Sequence, residues 1–488
     1  MYRHYSTFLL TLGLLSPFLM ADTPKQGIKA NGQLVYQKQK SVENFSEMLS
    51  EGTLYGRVRS NNFYFRYDHD DGAHESEPLA SIGASIVYKS ASWSGFDFSA
   101  AYYGSKAVFN EHSLDSISHL KPAKDTLSRY EYANNGSTAL YALGQANINY
   151  KYSKTNFTLG RQLVETFYTK SNDTKMVPNS FDGFVVSSKD MPQTKLTLAY
   201  LAKQKLRDHM SSHNVFMVGD SASAYGVSRP EWTQNDDSAM LKGLTYSALK
   251  VAGKPTDAPL IVLDVENRSV QNLKINFSAY TVPQLLSQAM GELNYKVNFD
   301  GFSITPGLRY IQQFDNGAGA VAGASLSVLV TGSSAYKNPD SLNSKMIAAR
   351  IVTKIDDYKI NLAFTDILNE ADLVTPWRGF PTAGYTRSMG VYNWKANTKS
   401  YRIELVKGAN KTGIYKKPFI QTSILYIDGD EKKSSLSDSM LYYVGIVQNI
   451  PSMPEFQYRV RLGYRDFINK SSLISNYLDS RLEFNYLF

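Results

Sequence analysis

Residues 455–465 put Phe456, Tyr458, Val460, Leu462 and Tyr464 on one side of an extended chain, with Gln457, Arg459, Arg461 and Arg465 on the other. Successive side chains of a strand point to opposite faces, so a period of two is a strand signature. Five large apolar groups opposite three arginines fit a strand with lipid on one face and water on the other. The chain closes on a second strand of this kind: Leu482, Phe484, Tyr486 and Phe488 alternate with Arg481, Glu483 and Asn485. A soluble protein would avoid leaving such an apolar row on its edge.

The first residues say where such strands go. Met1-Tyr2-Arg3-His4 is a short positive start, Phe8 to Leu15 an apolar run, and Leu19-Met20-Ala21 ends in a small residue before Asp22-Thr23-Pro24. This three-part pattern predicts a secretory signal peptide over 1–21, because the apolar run is too short to span a bilayer. The chain has no cysteine, which excludes disulfide staples, thiolate metal sites and thiol nucleophiles. A mean hydropathy of -0.32 excludes a bundle of membrane helices, each of which needs about 20 consecutive apolar residues. With 34 Tyr and 24 Phe against 4 Trp, the composition suits a barrel with aromatic girdles at both membrane interfaces.

Alternation recurs along the body and predicts an all-β fold, a transmembrane antiparallel β-barrel of eighteen strands over 52–488. Strands are expected near 52–67, 79–91, 93–105, 136–151, 153–165, 180–190, 192–205, 258–268 and 271–281. The second half adds 286–299, 301–314, 344–354, 357–368, 396–408, 417–427, 438–450, 455–466 and 477–488. Tight links at Ser92, Ser153, Met191 and Asp300-Gly301 alternate with long ones at 106–135, 206–257, 315–343 and 369–395. Short turns at a periplasmic rim and long loops outside are the layout of an outer-membrane barrel of a Gram-negative cell. An even strand number leaves both ends in the periplasm, with 22–51 as a short periplasmic lead-in. All seven histidines (His4, His69, His74, His112, His119, His209 and His213) fall in the signal peptide or in long links.

The segment 160–190 resembles the OprD-type specific porins, whose pattern there is a strand, a constriction loop, and a Phe-x-Gly opening the next strand. Asn172, Asp173, Pro178, Phe181 and Gly183 match, while Thr174 and Lys175 replace the family's usual Ser and Arg. Glu51-Gly52 with Gly56, Arg59, Tyr64 and Phe65 is similar to the family's first strand. Asp315-Asn316-Gly317-Ala318-Gly319 and Tyr426-Ile427-Asp428-Gly429-Asp430 are similar to later segments. Loops 206–257 and 369–395 match nothing recognisable. The resemblance implies a monomer or homotrimer of eighteen-stranded channels, narrowed by an inward-folded loop. It also implies a ladder of basic residues that draws in small solutes bearing a carboxylate. The constriction loop carries Asn172, Asp173, Lys175 and Pro178, with Asp173 and Lys175 expected to meet the solute. The terminal row ending at Phe488 resembles the assembly signal read by the barrel-assembly machinery.

Parity assigns the rest of the lumen. An arginine facing lipid at mid-bilayer costs roughly 2–4 kcal/mol, so Arg309, Arg350 and Arg402, all in strand segments, are expected to face water inside. Arg57 and Arg59 share one face of the first strand, next to Arg459 and Arg461 once the barrel closes, and Lys296 shares a face with Glu292 and Asn294. These residues either fill a polar interior, paired with carboxylates such as Glu404 and Glu483, or select anionic groups by focusing a positive potential. Lys175 offers a point charge where Arg would offer a planar fork.

Other chemical signals are weak. Asp68, Asp70, Asp71, Glu75 and Glu77 crowd one loop in no calcium-loop spacing. His209 and His213 lack an evident third ligand, and Gly317-x-Gly319-x3-Gly323 lacks the strand–turn–helix setting of a dinucleotide site. No metal, cofactor or catalytic constellation is expected, and basic residues that alternate along strands do not form a nucleic-acid surface. The expected partners are outer-membrane lipid, lipopolysaccharide, the assembly machinery and small solutes. Two function classes remain: a diffusion channel, and a structural or adhesive barrel that binds a partner through its long loops.

Overall fold

The computed structural model describes residues 27–29, 32–35, 39–69, 77–108, 123, 125–216, 241–326, 335–433, 438–468 and 475–488. The signal peptide expected at 1–21, and Asp70, Asp71 and Glu75 of the acidic loop, lie outside these residues. Eighteen antiparallel strands close into one barrel. The first half comprises β1 (Thr53–Tyr67), β2 (Glu77–Lys89), β3 (Phe96–Ala107), β4 (Ala139–Tyr152), β5 (Thr155–Gln162), β6 (Ser180–Ser188), β7 (Thr194–Lys205), β8 (Leu260–Asn267) and β9 (Leu273–Val282). The second comprises β10 (Leu286–Tyr295), β11 (Phe302–Asp315), β12 (Ser344–Ile355), β13 (Tyr358–Ile367), β14 (Thr398–Lys407), β15 (Phe419–Asp428), β16 (Ser439–Ile450), β17 (Met453–Phe467) and β18 (Tyr477–Leu487). Every strand expected from alternation is present. No helix among the described residues is long and apolar enough to cross a membrane.

Alternation becomes burial in plain form on β14. Thr398, Ser400, Arg402, Glu404 and Val406 are buried inside, while Lys399, Tyr401, Ile403, Leu405 and Lys407 face out. The outward rows carry exposed aromatics such as Tyr64, Tyr102, Tyr200, Phe314 and Tyr442, as a lipid interface requires. Closure joins β18 to β1, with Glu483 opposite Asn61 and Asn485 opposite Arg59. Phe488 completes the seam: its carbonyl accepts from Gly56 N–H at 2.9 Å and its N–H donates to the Gly56 carbonyl at 3.2 Å.

The links follow the expected layout with two exceptions. Residues 283–285 join β9 to β10 by a short turn at the long-loop rim, and 408–418 form an eleven-residue link at the short-turn rim. The lead-in expected over 22–51 is folded where it is described. Helix α1 (Phe45–Ser50) starts on Asn44, whose side chain accepts from Glu47 N–H. Ser41–Val42 pairs in parallel with Ser92–Trp93 of the first short turn, and Gly27–Ile28 pairs with Leu34–Val35 as a hairpin.

The interior is not uniformly wet, as a porin-like alternation alone would suggest. One apolar cluster joins the inner faces of β6 to β13 to residues of four long links, including Tyr168, Phe216, Leu244, Leu326, Trp377 and Trp394. Trp377, Tyr385 and Trp394 are fully buried. Burying a large apolar side chain contributes roughly 1.5–3 kcal/mol, so this cluster fixes the loops within the barrel.

Two outcomes test the fold. In this cysteine-free chain, Lys154→Cys at the short-turn rim should react with an impermeant maleimide only after cells are permeabilised. Lys337→Cys in the 316–343 loop should react in intact cells; the reverse pattern would invert the topology. Deleting Phe488 removes the last rung of the closing seam and should lower the heat-modifiable folded fraction in outer membranes.

Candidate functional site

Loop 163–179, between β5 and β6, enters the lumen and meets the wall at β1. Asp173 is the contact. Its carboxylate takes Arg57 through Nη2 and Arg59 through Nη1, the latter at 2.7 Å. Arg59 continues to Glu483 at 3.1 Å, and Arg461 approaches the same carboxylate at 3.7 Å. Arg481 holds Asp479 on the same strand. Four strand arginines therefore share three carboxylates on the β17–β18–β1 wall, and Asp173 is supplied by the loop. Half-buried Arg459 lies opposite Glu483 in the register.

The expectation that Asp173 and Lys175 meet the solute is corrected by this packing. Both are about 2% exposed. Lys175 Nζ lies over the Phe63 ring at 4.4 Å, and its carbonyl accepts from Asn61. Asn172 turns the chain with a φ of 41°, and its carbonyl accepts from Thr174 N–H at 2.8 Å. The Pro178 carbonyl accepts from Lys205 Nζ at 3.0 Å. These residues brace the loop; a buried charge is tolerated only when paired and hydrogen-bonded.

A second basic group lies on β11 to β14. Arg309 donates to Glu292 at 2.7 Å and to the carbonyls of Pro381 and Ala383 at 2.7 and 2.8 Å. Arg350 donates to Asn294 at 2.6 Å and to the Gly384 carbonyl at 2.8 Å. Arg402 pairs with Glu404 and reaches the Tyr385 carbonyl at 3.3 Å. Tyr385 also lies under Arg309 and Arg350, its ring 4.4 and 4.6 Å from their guanidinium carbons. Lys296 is separate. It sits exposed where β10 is interrupted near the short-turn rim and is not part of the buried wall.

Loop 368–397 supplies all those carbonyls, although the sequence marks it only as a long link without a recognisable motif. It folds inward and is stitched to loop 163–179 by backbone: Lys170 N–H donates to the Trp377 carbonyl at 2.9 Å and Gly379 N–H to the Tyr168 carbonyl at 3.0 Å. Gly379 permits the crossing, since a Cβ there would overlap the Phe167 carbonyl oxygen. Arg387 comes from the same loop. Its guanidinium lies over Phe380, Tyr392 and Trp394 at 4.7, 5.4 and 5.8 Å, and its Nε and Nη1 have no hydrogen-bond partner among the described residues. Burial, with Arg481 and Arg402 nearby, lowers its pKa to about 10. With Arg350, Lys359, Asn361, Arg402 and Glu404 it lines a cavity of about 330 Å³. A loop holding two of the chain's four tryptophans was the available signal.

Loop 206–259 is braced to its neighbours. Arg207 pairs with Asp125, Arg129 with Asp208, and Gln204 pairs by backbone with His213. His209 and His213 stand edge to face at 5.0 Å, both buried. Burial pulls His209 down to about 3, against the opposing pull of Asp208, and lowers His213 to about 4. Burial alone would raise Asp208, but Arg129 beside it holds that carboxylate well below the usual range. No group of three or more metal-ligating side chains is present among the described residues.

Residues 57–254 match the family described as outer membrane porin, OprD family, which bears out the resemblance seen at loop 163–179. No curated protein matches the sequence. Solved structures share the fold along nearly the whole chain at low identity. OccK8 (OprE) of Pseudomonas aeruginosa is 12% identical with a TM-score of 0.66, covering 90% of this chain and 99% of its own. OpdK of Pseudomonas aeruginosa, solved with vanillate, is 13% identical with a TM-score of 0.65, covering 90% and 99%. OccAB3 of Acinetobacter baumannii is 12% identical with a TM-score of 0.66, covering 90% and 100%.

Two results are expected from the geometry. Asp173→Ala leaves Arg57 and Arg59 without their shared carboxylate, a loss of about 3–5 kcal/mol for a broken buried pair. Hydrogen exchange in loop 163–179 should rise while the strands stay protected. His209 and His213 are held neutral, with pKa values below the free value near 6.5, so their contribution is complete above that pH. It is lost as pH falls toward 4 and 3. Protection factors in loop 206–216, with the intrinsic pH dependence of amide exchange divided out, should therefore fall from about pH 6.5 to about pH 4, and His209→Asn should flatten that fall; pH-independent protection in the wild type would contradict the assignment.

Proposed function

We propose that this barrel, matched to the OprD porins over 57–254 and set in the outer membrane of a Gram-negative cell, passes small hydrophilic solutes passively and favours carboxylate-bearing, anionic or zwitterionic ones. The supporting observation is Arg387. The strand arginines Arg57, Arg59, Arg309, Arg350, Arg402, Arg459, Arg461 and Arg481 share only Asp173, Asp479, Glu292, Glu404 and Glu483, so the wall keeps a positive excess, and Arg387 adds to it. Arg387 has aromatic faces around it, free N–H groups, and no carboxylate partner among the described residues. It lies within electrostatic reach of both basic groups, with Arg402 of one and Arg481 of the other near it. A positive potential confined by low-dielectric walls attracts anions strongly. The vanillate of the OpdK structure is a solute of this chemical kind.

In this reading loop 163–179 sets the constriction, with Asn172, Asp173, Lys175 and Pro178 as braces. Arg57, Arg59, Arg309, Arg350, Arg402, Arg459 and Arg461 form the basic wall, completed by Arg387. Each chain closes its own barrel, so a monomer and each copy in a homotrimer are equally complete channels. No chemical step on the solute is required, and the channel is not an enzyme. Assembly uses the terminal strand ending at Phe488.

In planar bilayers with a salt gradient, the folded protein should show a reversal potential displaced toward the anion. Arg387→Gln should move it toward cation permeability and leave the heat-modifiable fold intact, because no carboxylate loses its partner. Arg459→Ala with Arg461→Ala should move it in the same direction. A protein that folds but carries no current would favour the adhesive-barrel reading. Current with an unchanged reversal potential in both variants would leave a channel without anion preference.

A further inference from the structure

The hairpin of residues 27–35 is not needed to close the barrel, yet it is folded inside it. Lys29 N–H donates to the Gln33 carbonyl at 2.9 Å and Gly32 N–H to the Lys29 carbonyl at 2.8 Å, which ties the two strands together. Gly32 takes a φ of +81°, which favours glycine. Its carbonyl accepts from Arg57 Nη1 at 2.8 Å, and a Cβ on it would overlap the Asp173 carbonyl oxygen. Arg57 faces the lumen and Asp173 tips the inward loop, so Gly32 sits in the lumen directly against the constriction. Leu34 packs on the inward cluster of Tyr55, Val87, Tyr103 and Met176. At the other end Gly27 lies against Thr412 and Ile28, 5% exposed, against Gly413, in the long link at the short-turn rim. Gly413 is itself held to the β17 wall by Gln457, at 3.0 Å. The hairpin thus crosses the β17–β18–β1 wall, which carries Arg57, Arg59, Arg459, Arg461 and Arg481.

We infer that the hairpin strands Gly27–Ile28 and Leu34–Val35, with Gly32, form a built-in stopper at the periplasmic end of the solute path, occupying a donor of Arg57 and setting the conductance of the pore. This rests on the channel reading and adds an obstruction that the strands and long loops do not supply. The Gly32 carbonyl takes the position on Arg57 that an oxygen of an anionic solute would otherwise take. Solute leaving the basic wall has to pass beside the hairpin, through less lumen than the strand number alone would give. The segment that follows is held independently. Ser92 N–H donates to the Lys40 carbonyl at 2.8 Å, Lys40 pairs with Glu51 at 2.7 Å, and Trp93 Nε1 donates to the Glu43 carbonyl at 3.0 Å. The hairpin can therefore be removed without releasing β1.

The experiment compares single-channel conductance of the full chain, a variant lacking residues 26–38, and Gly32→Val, which places a Cβ against Asp173 at a φ that valine resists. Both variants should conduct more, by about twofold or greater for a pore relieved of an internal obstruction. Equal conductance in all three would overturn the proposal. In parallel, Ile28→Cys in this cysteine-free chain reports where the hairpin lies. Its reaction with an impermeant maleimide in the folded protein should be at least about tenfold slower than in denaturant, as its burial requires, and should accelerate when Gly32→Val is added. An Ile28→Cys thiol that reacts at the denatured rate in the folded barrel places the hairpin outside the lumen and equally overturns the proposal. If the deletion does not fold, the Gly32→Val and Ile28→Cys arms still decide. A full chain that shows no current, while the Ile28→Cys thiol stays protected, would refute the channel reading and not the hairpin's position.

Discussion

A bilayer core offers no water to a backbone N–H or carbonyl, so a sheet that crosses it has to close on itself. Here closure is made between β18 and β1, where the final residue, Phe488, bonds in both directions to Gly56. Closure fixes which faces are inside. Once one face of every strand is committed to lipid, a charged side chain at mid-bilayer depth has to turn inward. The lumen then inherits arginines that it has to satisfy.

The inward loops satisfy them. Asp173 reaches Arg57 and Arg59 from loop 163–179, and the carbonyls of 381–385 reach Arg309, Arg350 and Arg402 from loop 368–397. An isolated buried charge is far costlier than a paired one, so the wall and the loops depend on each other. The two loops are stitched together at Gly379 and Lys170 and share an apolar cluster with loops 206–259 and 316–343. The inner faces of β6 to β13 are thereby packed with apolar side chains. Arg387 is held by three aromatic rings and has no carboxylate partner among the described residues.

Most of the fold could be read without coordinates because lipid imposes a strict rule on the outer row. Tyr401, Ile403 and Leu405 against Arg402 and Glu404 can be read only one way, and the same rule located all eighteen strands to within a few residues. Part of the site was legible for the same reason: Arg57, Arg59, Arg309, Arg350, Arg402, Arg459 and Arg461 each stood on the face opposite an apolar row. Lys296 had the right parity but stands where β10 breaks, and parity has no meaning beyond the strand. The run Leu260-Ile261-Val262-Leu263 departed from alternation because its inner face meets an apolar core, not water.

The sequence by itself therefore determined the membrane, the strands and which face of each turns inward. Each follows from a two-residue period tested against lipid at every position. What stands inside the barrel was decided only by tertiary structure. Asp173 is 114 residues from Arg59, Arg387 lies near side chains of β14 and β18, and Gly32 meets a loop tip about 140 residues further on. No periodicity links such positions. They meet because closure leaves a confined lumen in which buried charges need partners, and loops long enough to reach across it supply them.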